Sequence, residues 1–112
     1  MNASLNFEST DPLPMTLTEF DLDNISNILH EPTKYNWYTA HLLRLCAKAD
    51  KDNLIKLAHE YPDVVAAYLI YLYNDVGHRG FFPAEFKEVI PDWEKYTQMM
   101  VPHILGEGNR ND

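Results

Sequence analysis

The segment PDVVAAYLIYLY, residues 62–73, decides the fold of this 112-residue chain. From Val64 to Tyr73 it is apolar on nearly every side, which is typical of a helix at the centre of a core. Its β-branched residues and tyrosines also suit a buried strand, but the segment is longer than most strands and its flanks have helical periodicity. Proline is well placed in a first helical turn, so we predict that a central helix begins at Pro62.

Three helical patterns precede this segment, each with apolar residues recurring every three or four positions. The first opens with the capping-box spacing of Thr16 and Glu19 and ends at Pro32. Asn36 is placed to cap the second helix, and Asp50 to cap the third. The tight connection between the second and third helices predicts either a helical hairpin or one bent rod.

After the central segment, the pattern predicts a short helix over 84–90 and a last helix that begins at Pro91 and ends at Gly106. Pro102 should kink or shorten this last helix. We therefore predict an all-α fold, a compact bundle of four to six short helices. The predicted organisation is a flexible arm over 1–15, a single helical domain over 16–106 and a polar tail over 107–112.

Charge is unevenly distributed along a chain whose formal net charge is −8. Residues 1–33 contain six acidic residues and no lysine or arginine, whereas residues 34–60 are mildly basic. Clustered basic residues are needed to bind a nucleic-acid backbone, so we predict no direct nucleic-acid binding. The longest apolar run is too short to span a membrane, and the start of the chain lacks the features of a secretion signal. A cytoplasmic protein is expected.

The residues that most often carry chemistry give no catalytic pattern. Cys46 is the only cysteine, and its apolar neighbours predict a buried, inert thiol. None of the five histidines has another histidine, cysteine or aspartate at ligand spacing, so we predict no metal site. The paired carboxylates are interpreted as caps or solvated helix faces. We expect neither a cofactor nor an enzymatic activity.

One stretch is similar to a known group of proteins. The sequence WYTAHLLRLCAKAD, residues 37–50, is followed by the aromatic–proline step of Tyr61 and Pro62 and then by an apolar helix. This pattern resembles a family of short, functionally uncharacterised proteins of bacteriophages and other mobile elements. The resemblance implies an origin in such an element and transfers no activity.

Two groups of residues are candidates for binding a protein. Arg79, Phe81 and Phe82 place a cation beside two aromatic rings in a glycine-hinged loop, and such residues are frequent in interface hot spots. On the last helix, Trp93, Tyr96 and Met100 belong to an apolar set that covers more than one face. For both groups the alternative is that the side chains pack in the core.

We therefore predict a protein–protein interaction module whose partner is a host or defence protein, or a second copy of the chain in a homodimer. One alternative is an acidic mimic of nucleic acid that inhibits a nuclease or restriction enzyme through an acidic face containing Asp21, Asp23 and Glu31. The other is a structural homo-oligomer or accessory subunit. The arm has two interpretations: either it is disordered, or Leu5, Phe7 and Leu13 dock on a neighbouring chain.

Overall fold

A computed structural model describes residues 13–74 and 81–106 of the chain. Helices account for most of these residues, and no strand occurs among them. The elements in order are α1 (Glu19–Asp23), α2 (Ile25–His30), α3 (Tyr38–Lys48), α4 (Lys51–Glu60), α5 (Pro62–Tyr73), α6 (Ala84–Lys87) and α7 (Trp93–Ile104). The predicted all-α fold is confirmed, while the predicted tail and most of the predicted arm lie outside the described residues.

Helix α5 is the centre of the fold. It packs against α2, α3, α4 and α7, and the residues from Asp63 to Ala67 are buried without interruption. Leu69 and Ile70 continue the buried stretch, whereas Leu72 and Tyr73 in the last turn are exposed. A helix that is apolar on all sides is stable in water only when neighbours cover it, and here four helices do so.

The first predicted helix is divided into α1 and α2, which is why the described chain has seven helices instead of at most six. The backbone N–H of Asn24 donates to the carbonyls of Phe20 and Asp21, and these bonds close α1 before α2 begins. The capping box also lies two residues later than predicted: Thr18 is the N-cap, and Asp21 takes the place expected for Glu19. Thr16 does not cap the helix. Its backbone N–H instead donates to the carboxylate of Asp63, as described below.

Three further positions test the predicted helix ends. The expected cap at Asn36 is wrong, since α3 has Trp37 at its N-cap, in extended conformation and without a side-chain hydrogen bond to the helix. The expected cap at Asp50 is confirmed, because its carboxylate accepts the N–H of Asn53 at 2.9 Å. Pro102 lies inside α7, which continues to Ile104, so the proline does not stop the helix.

A buried carboxylate ties the start of the described chain to the central helix. Asp63 is 1% exposed, and one of its oxygens accepts the backbone N–H groups of Thr16 at 2.6 Å and Leu17 at 2.7 Å. The hydroxyl of Tyr96 donates to the carbonyl of Pro14 at 2.8 Å, so α7 holds the same segment from another side. These bonds seat Leu17 in the core.

Asp21 performs a similar role between the first helix and the start of α3. Its carboxylate accepts the indole N–H of Trp37 at 2.9 Å and the hydroxyl of Thr39 at 2.8 Å. It also accepts the backbone N–H and the hydroxyl of Thr18, so this buried group has four donors. A buried carboxylate is tolerated when its lone pairs are satisfied in this way.

Substituting Asp63 by alanine should destabilise the fold by about 3 kcal/mol, because two amides near or in the core lose a charged acceptor. Urea unfolding followed by circular dichroism measures the change. Asp52→Ala, which removes an exposed carboxylate from the first turn of α4, is the control and should cost well under half as much. Equal costs for the two variants would contradict the anchoring role of Asp63.

Candidate protein-binding groove

An open groove of about 580 Å³ lies where the last turn of α5 faces the start of α4 and the segment leading into α6. Its floor is formed by buried apolar side chains, namely those of Cys46, Leu54, Leu69 and Phe86. Its outer edge carries Leu72, Tyr73 and Phe81, which we call the apolar rim. The volume is within the range of natural binding sites, and the lining is mostly apolar.

All three side chains of the apolar rim are accessible to solvent. Leu72 is 49% exposed, Tyr73 is 43% exposed and Phe81 is 48% exposed. The rings of Tyr73 and Phe81 lie with their centroids 5.5 Å apart and are tilted by 58°. Three large apolar side chains therefore form one patch instead of being scattered singly over the surface.

A buried asparagine fixes the position of Phe81. Asn74 is fully buried at the end of α5, and its side-chain amide donates to the carbonyl of Phe81 at 2.6 Å. The backbone N–H of Phe81 donates to the side-chain oxygen of Asn74 at 2.8 Å. One side chain thus pairs with both backbone groups of Phe81 and holds the residue beside the last turn of α5.

An ion pair lies across one end of the groove. The ammonium of Lys51, at the start of α4, is 3.3 Å from the carboxylate of Glu85 in α6. A hydrogen bond from its own backbone, followed by the hydrogen bond and charge of Lys51, lowers the pKa of Glu85. Because both side chains are exposed, this pair contributes little to the stability of the fold.

The thiol of Cys46 lies in the floor and is 1% exposed. Burial raises its pKa to about 12, an effect that a backbone hydrogen bond only partly offsets. Since the thiolate is the reactive form, the thiol is inert at neutral pH. Its contribution to the groove is apolar surface.

The residues predicted to bind a protein are found in different places. Phe81 lies on the apolar rim, but its neighbour Phe82 is 2% exposed and its ring stacks on Trp93 at 5.7 Å. Tyr96 and Met100 are buried in the core, which is the alternative stated for them, because their side of α7 packs on α5. Trp93 is partly buried, with the ammonium of Lys87 at 4.3 Å from its ring centroid.

Arg79, the remaining member of the predicted loop site, lies outside the described residues. The predicted acidic face is not a set of equivalent free carboxylates. Asp21 is buried, Asp23 lies 2.7 Å from the imidazole Nδ1 of His103, and Glu31 is 3.7 Å from the ammonium of Lys34. Asp21 in particular is inaccessible to a partner, since its carboxylate is occupied by the donors described above.

The described parts of the chain have neither a cluster of metal-ligating side chains nor a membrane-spanning helix. Residues 13–74 and 81–106 contain no group of three or more histidine, cysteine, aspartate or glutamate side chains placed to hold a metal ion. None of the helices in those two ranges combines the length and hydropathy needed to cross a bilayer.

Sequence reasoning missed most of this groove. It assigned Leu72 and Tyr73 to the core, because the periodicity of a helix that is apolar on all sides does not distinguish a covered turn from an exposed one. The available signal was the placement of Leu72 and Tyr73 directly before a polar segment rich in turn residues, where cover by neighbouring helices ends.

Comparisons with protein-family models, with curated proteins and with solved structures return no match for this chain. Its function is therefore inferred from the groove itself.

Replacing Asn74 by alanine should lower the free energy of unfolding by about 2 kcal/mol and release Phe81, because two hydrogen bonds made by a fully buried side chain are lost. Chemical denaturation gives the first quantity, and amide hydrogen exchange at Phe81 gives the second. Asn53→Ala, at an exposed position in α4, is the control. Unchanged protection of the Phe81 amide in Asn74→Ala would show that another group holds it.

Burial of Cys46 should make the protein less stable at alkaline pH. Burial favours the neutral thiol, so the stabilisation is complete below pH 9, the ordinary pKa, and is lost as the pH rises toward about 12. The loss is at most about 1.4 kcal/mol per pH unit for one group. Tyr96, whose pKa burial also raises to about 12, adds to the effect with the same sign.

The variant Cys46→Ala isolates the thiol, because Tyr96 titrates in both proteins. Urea unfolding at pH 8, 9, 10 and 11 should give a shallower decline of stability for the variant than for the wild type, because the variant has one titrating group fewer. Parallel declines would mean that the thiol is accessible to solvent in the folded state.

Proposed function

We propose that this protein is a non-enzymatic binding module that engages another protein through the apolar rim of Leu72, Tyr73 and Phe81. The observation that carries the proposal is the shared exposure of these three side chains, each more than two-fifths accessible, at the edge of an apolar groove. Apolar side chains grouped on the surface of a small domain mark interaction sites more often than isolated ones do.

The position of Phe81 supports a recognition role. An aromatic side chain contributes most to binding when little conformational freedom is lost on association. The two hydrogen bonds from Asn74 restrict the backbone of Phe81 before any partner arrives. The adjacent ring of Tyr73 restricts the side chain.

The chemistry of the groove favours binding over catalysis. Its floor is apolar, and its one thiol has a pKa far above neutrality. The carboxylate at its edge, Glu85, is exposed and has a lowered pKa, which is the opposite of what a general acid at neutral pH needs. The resemblance of residues 37–50 to short proteins of phages and mobile elements supports a host or defence protein as the partner.

The alternatives receive less support. A homo-oligomer built on Trp93, Tyr96 and Met100 would need all three side chains at the surface. Tyr96 and Met100 are instead buried in the core of the same chain. An acidic mimic built on Asp21, Asp23 and Glu31 would lose its first member to the hydrogen bonds inside the fold.

Site-specific photocrosslinking tests the proposed surface. A benzophenone amino acid introduced at position 81 should give a discrete adduct in an extract of the host cell, and mass spectrometry identifies the protein in it. The same amino acid at position 20 is the control, because Phe20 is 56% exposed and contacts Trp37 outside the groove. Position 20 should give no such adduct.

A pair of substitutions completes the test. Phe81→Asp should reduce capture of the identified protein at least about tenfold, the effect of losing one aromatic hot spot, while Phe20→Asp leaves it unchanged. Both positions are exposed, so both variants should remain folded by circular dichroism. The same adduct from both positions, or equal capture by both variants, would refute the proposed surface.

A further inference from the structure

A second apolar groove lies beside the first. It has a volume of about 400 Å³ and runs between α3 and α4, where Leu45, Leu57 and Tyr61 give it apolar walls. Leu45, in the last turn of α3, is 46% exposed. We call it the hairpin groove. Neither the fold nor the apolar rim accounts for an exposed leucine at this position.

The two grooves adjoin at the turn of the hairpin, where they share one lining residue. This residue is Ala49, and we call its position between the two grooves the passage. Lys48 faces the hairpin groove and Lys51 faces the first groove, so a lysine stands on each side of the passage. A binding element lying on both grooves would therefore cross Ala49 between two cationic side chains.

The charge of this surface differs from that of the rest of the chain. Residues 34–60 contain five of the nine lysine and arginine residues but only three of the 17 acidic residues. Lys48 and Lys56 line the hairpin groove together with a single acid, Glu60. The remaining cation at the passage, Lys51, is shared with Glu85. An acidic partner is repelled by most of this protein but is attracted here.

From this placement we infer that the partner presents an acidic amphipathic helix, which packs apolar side chains on Leu45, Leu57 and the apolar rim while its carboxylates face Lys48 and Lys56. The inference rests on the proposed function and names the chemistry of the partner. An apolar groove with charged edges is the usual receptor for such a helix, whose anchors recur at every third or fourth residue. Charge complementarity determines that the helix is acidic.

Two synthetic peptides test this directly. Both are helices of about 18 residues with the same leucine and phenylalanine anchors, and they differ only in having glutamate or lysine at the polar positions. Fluorescence anisotropy of labelled peptides measures binding to the full chain. The net charge of −8 alone predicts that the basic peptide binds more tightly. The hairpin groove predicts the reverse, with the acidic peptide favoured by about tenfold in low salt.

Charge reversal locates the effect. The double variant Lys48→Glu and Lys56→Glu should abolish the preference for the acidic peptide. Lys34→Glu with Lys95→Glu is the matched control, because it makes the same change in net charge at two exposed lysines that do not line the hairpin groove. Raising the salt from about 50 to about 300 mM should weaken binding of the acidic peptide to the wild type, since screening shortens the range of the attraction.

Three results would overturn the inference: tighter binding of the basic peptide, no binding of either peptide, or equal effects of the two double variants. If the crosslink from position 81 is still formed in those cases, the proposed function stands and only the acidic helix is wrong. If that crosslink is absent while the acidic peptide still binds through Lys48 and Lys56, the proposed function fails instead.

Light scattering at increasing concentration separates one more case. The acid-rich residues 1–33 of a second copy are another source of acidic side chains. A dimer of the wild type that dissociates in the Lys48→Glu and Lys56→Glu variant would identify this occupant and overturn the inference of a foreign helix. A monomer at all concentrations supports it.

Discussion

Burial of α5 on nearly all sides is the constraint on which the rest of the structure depends. A 12-residue helix with so few polar positions is stable in water only if other helices cover it, and α2, α3, α4 and α7 do so. The cover extends from Asp63 to Ile70 and ends before the final turn. The exposed apolar rim is therefore a direct result of how far the surrounding helices reach along α5.

Three buried polar side chains complete the packing where helices end or begin. Asp63 accepts hydrogen bonds from two amides of the segment before α1, and Asp21 accepts hydrogen bonds from groups at the starts of two helices. Asn74 makes hydrogen bonds with both backbone groups of Phe81. Apolar contacts alone would leave these polar groups without partners, at a cost similar to that of a lost hydrogen bond. Each of the three side chains therefore fixes the path of a segment that has no regular secondary structure of its own.

Periodicity was sufficient to predict the all-α class, the central helix and the cap at Asp50, because these depend on residues close together in sequence. It failed at Asn36 and at Thr16, where the outcome depends on distant partners. The N–H of Thr16 is taken by Asp63, and the start of α3 is set by the bond between Trp37 and Asp21.

The candidate site shows the same division. Phe81 was predicted from its residue type, and it is exposed. Tyr96 and Met100 had equally suitable residue types but are covered by α5, which their local sequence does not reveal. The hairpin groove depends on how α3 and α4 fold back at Ala49, so its lining residues share no sequence signature.

The bonds of the first described residues also bear on the order in which the chain folds during its synthesis. Pro14 and Thr16 are held by Tyr96 and Asp63, and Asp23 lies against His103 near the end of α7. A ribosome makes the N-terminal residues first, yet these partners emerge only later, the last of them after most of the chain. The hairpin of α3 and α4 is local and can form early, whereas the segment before α1 must wait for α7 before it can take its place.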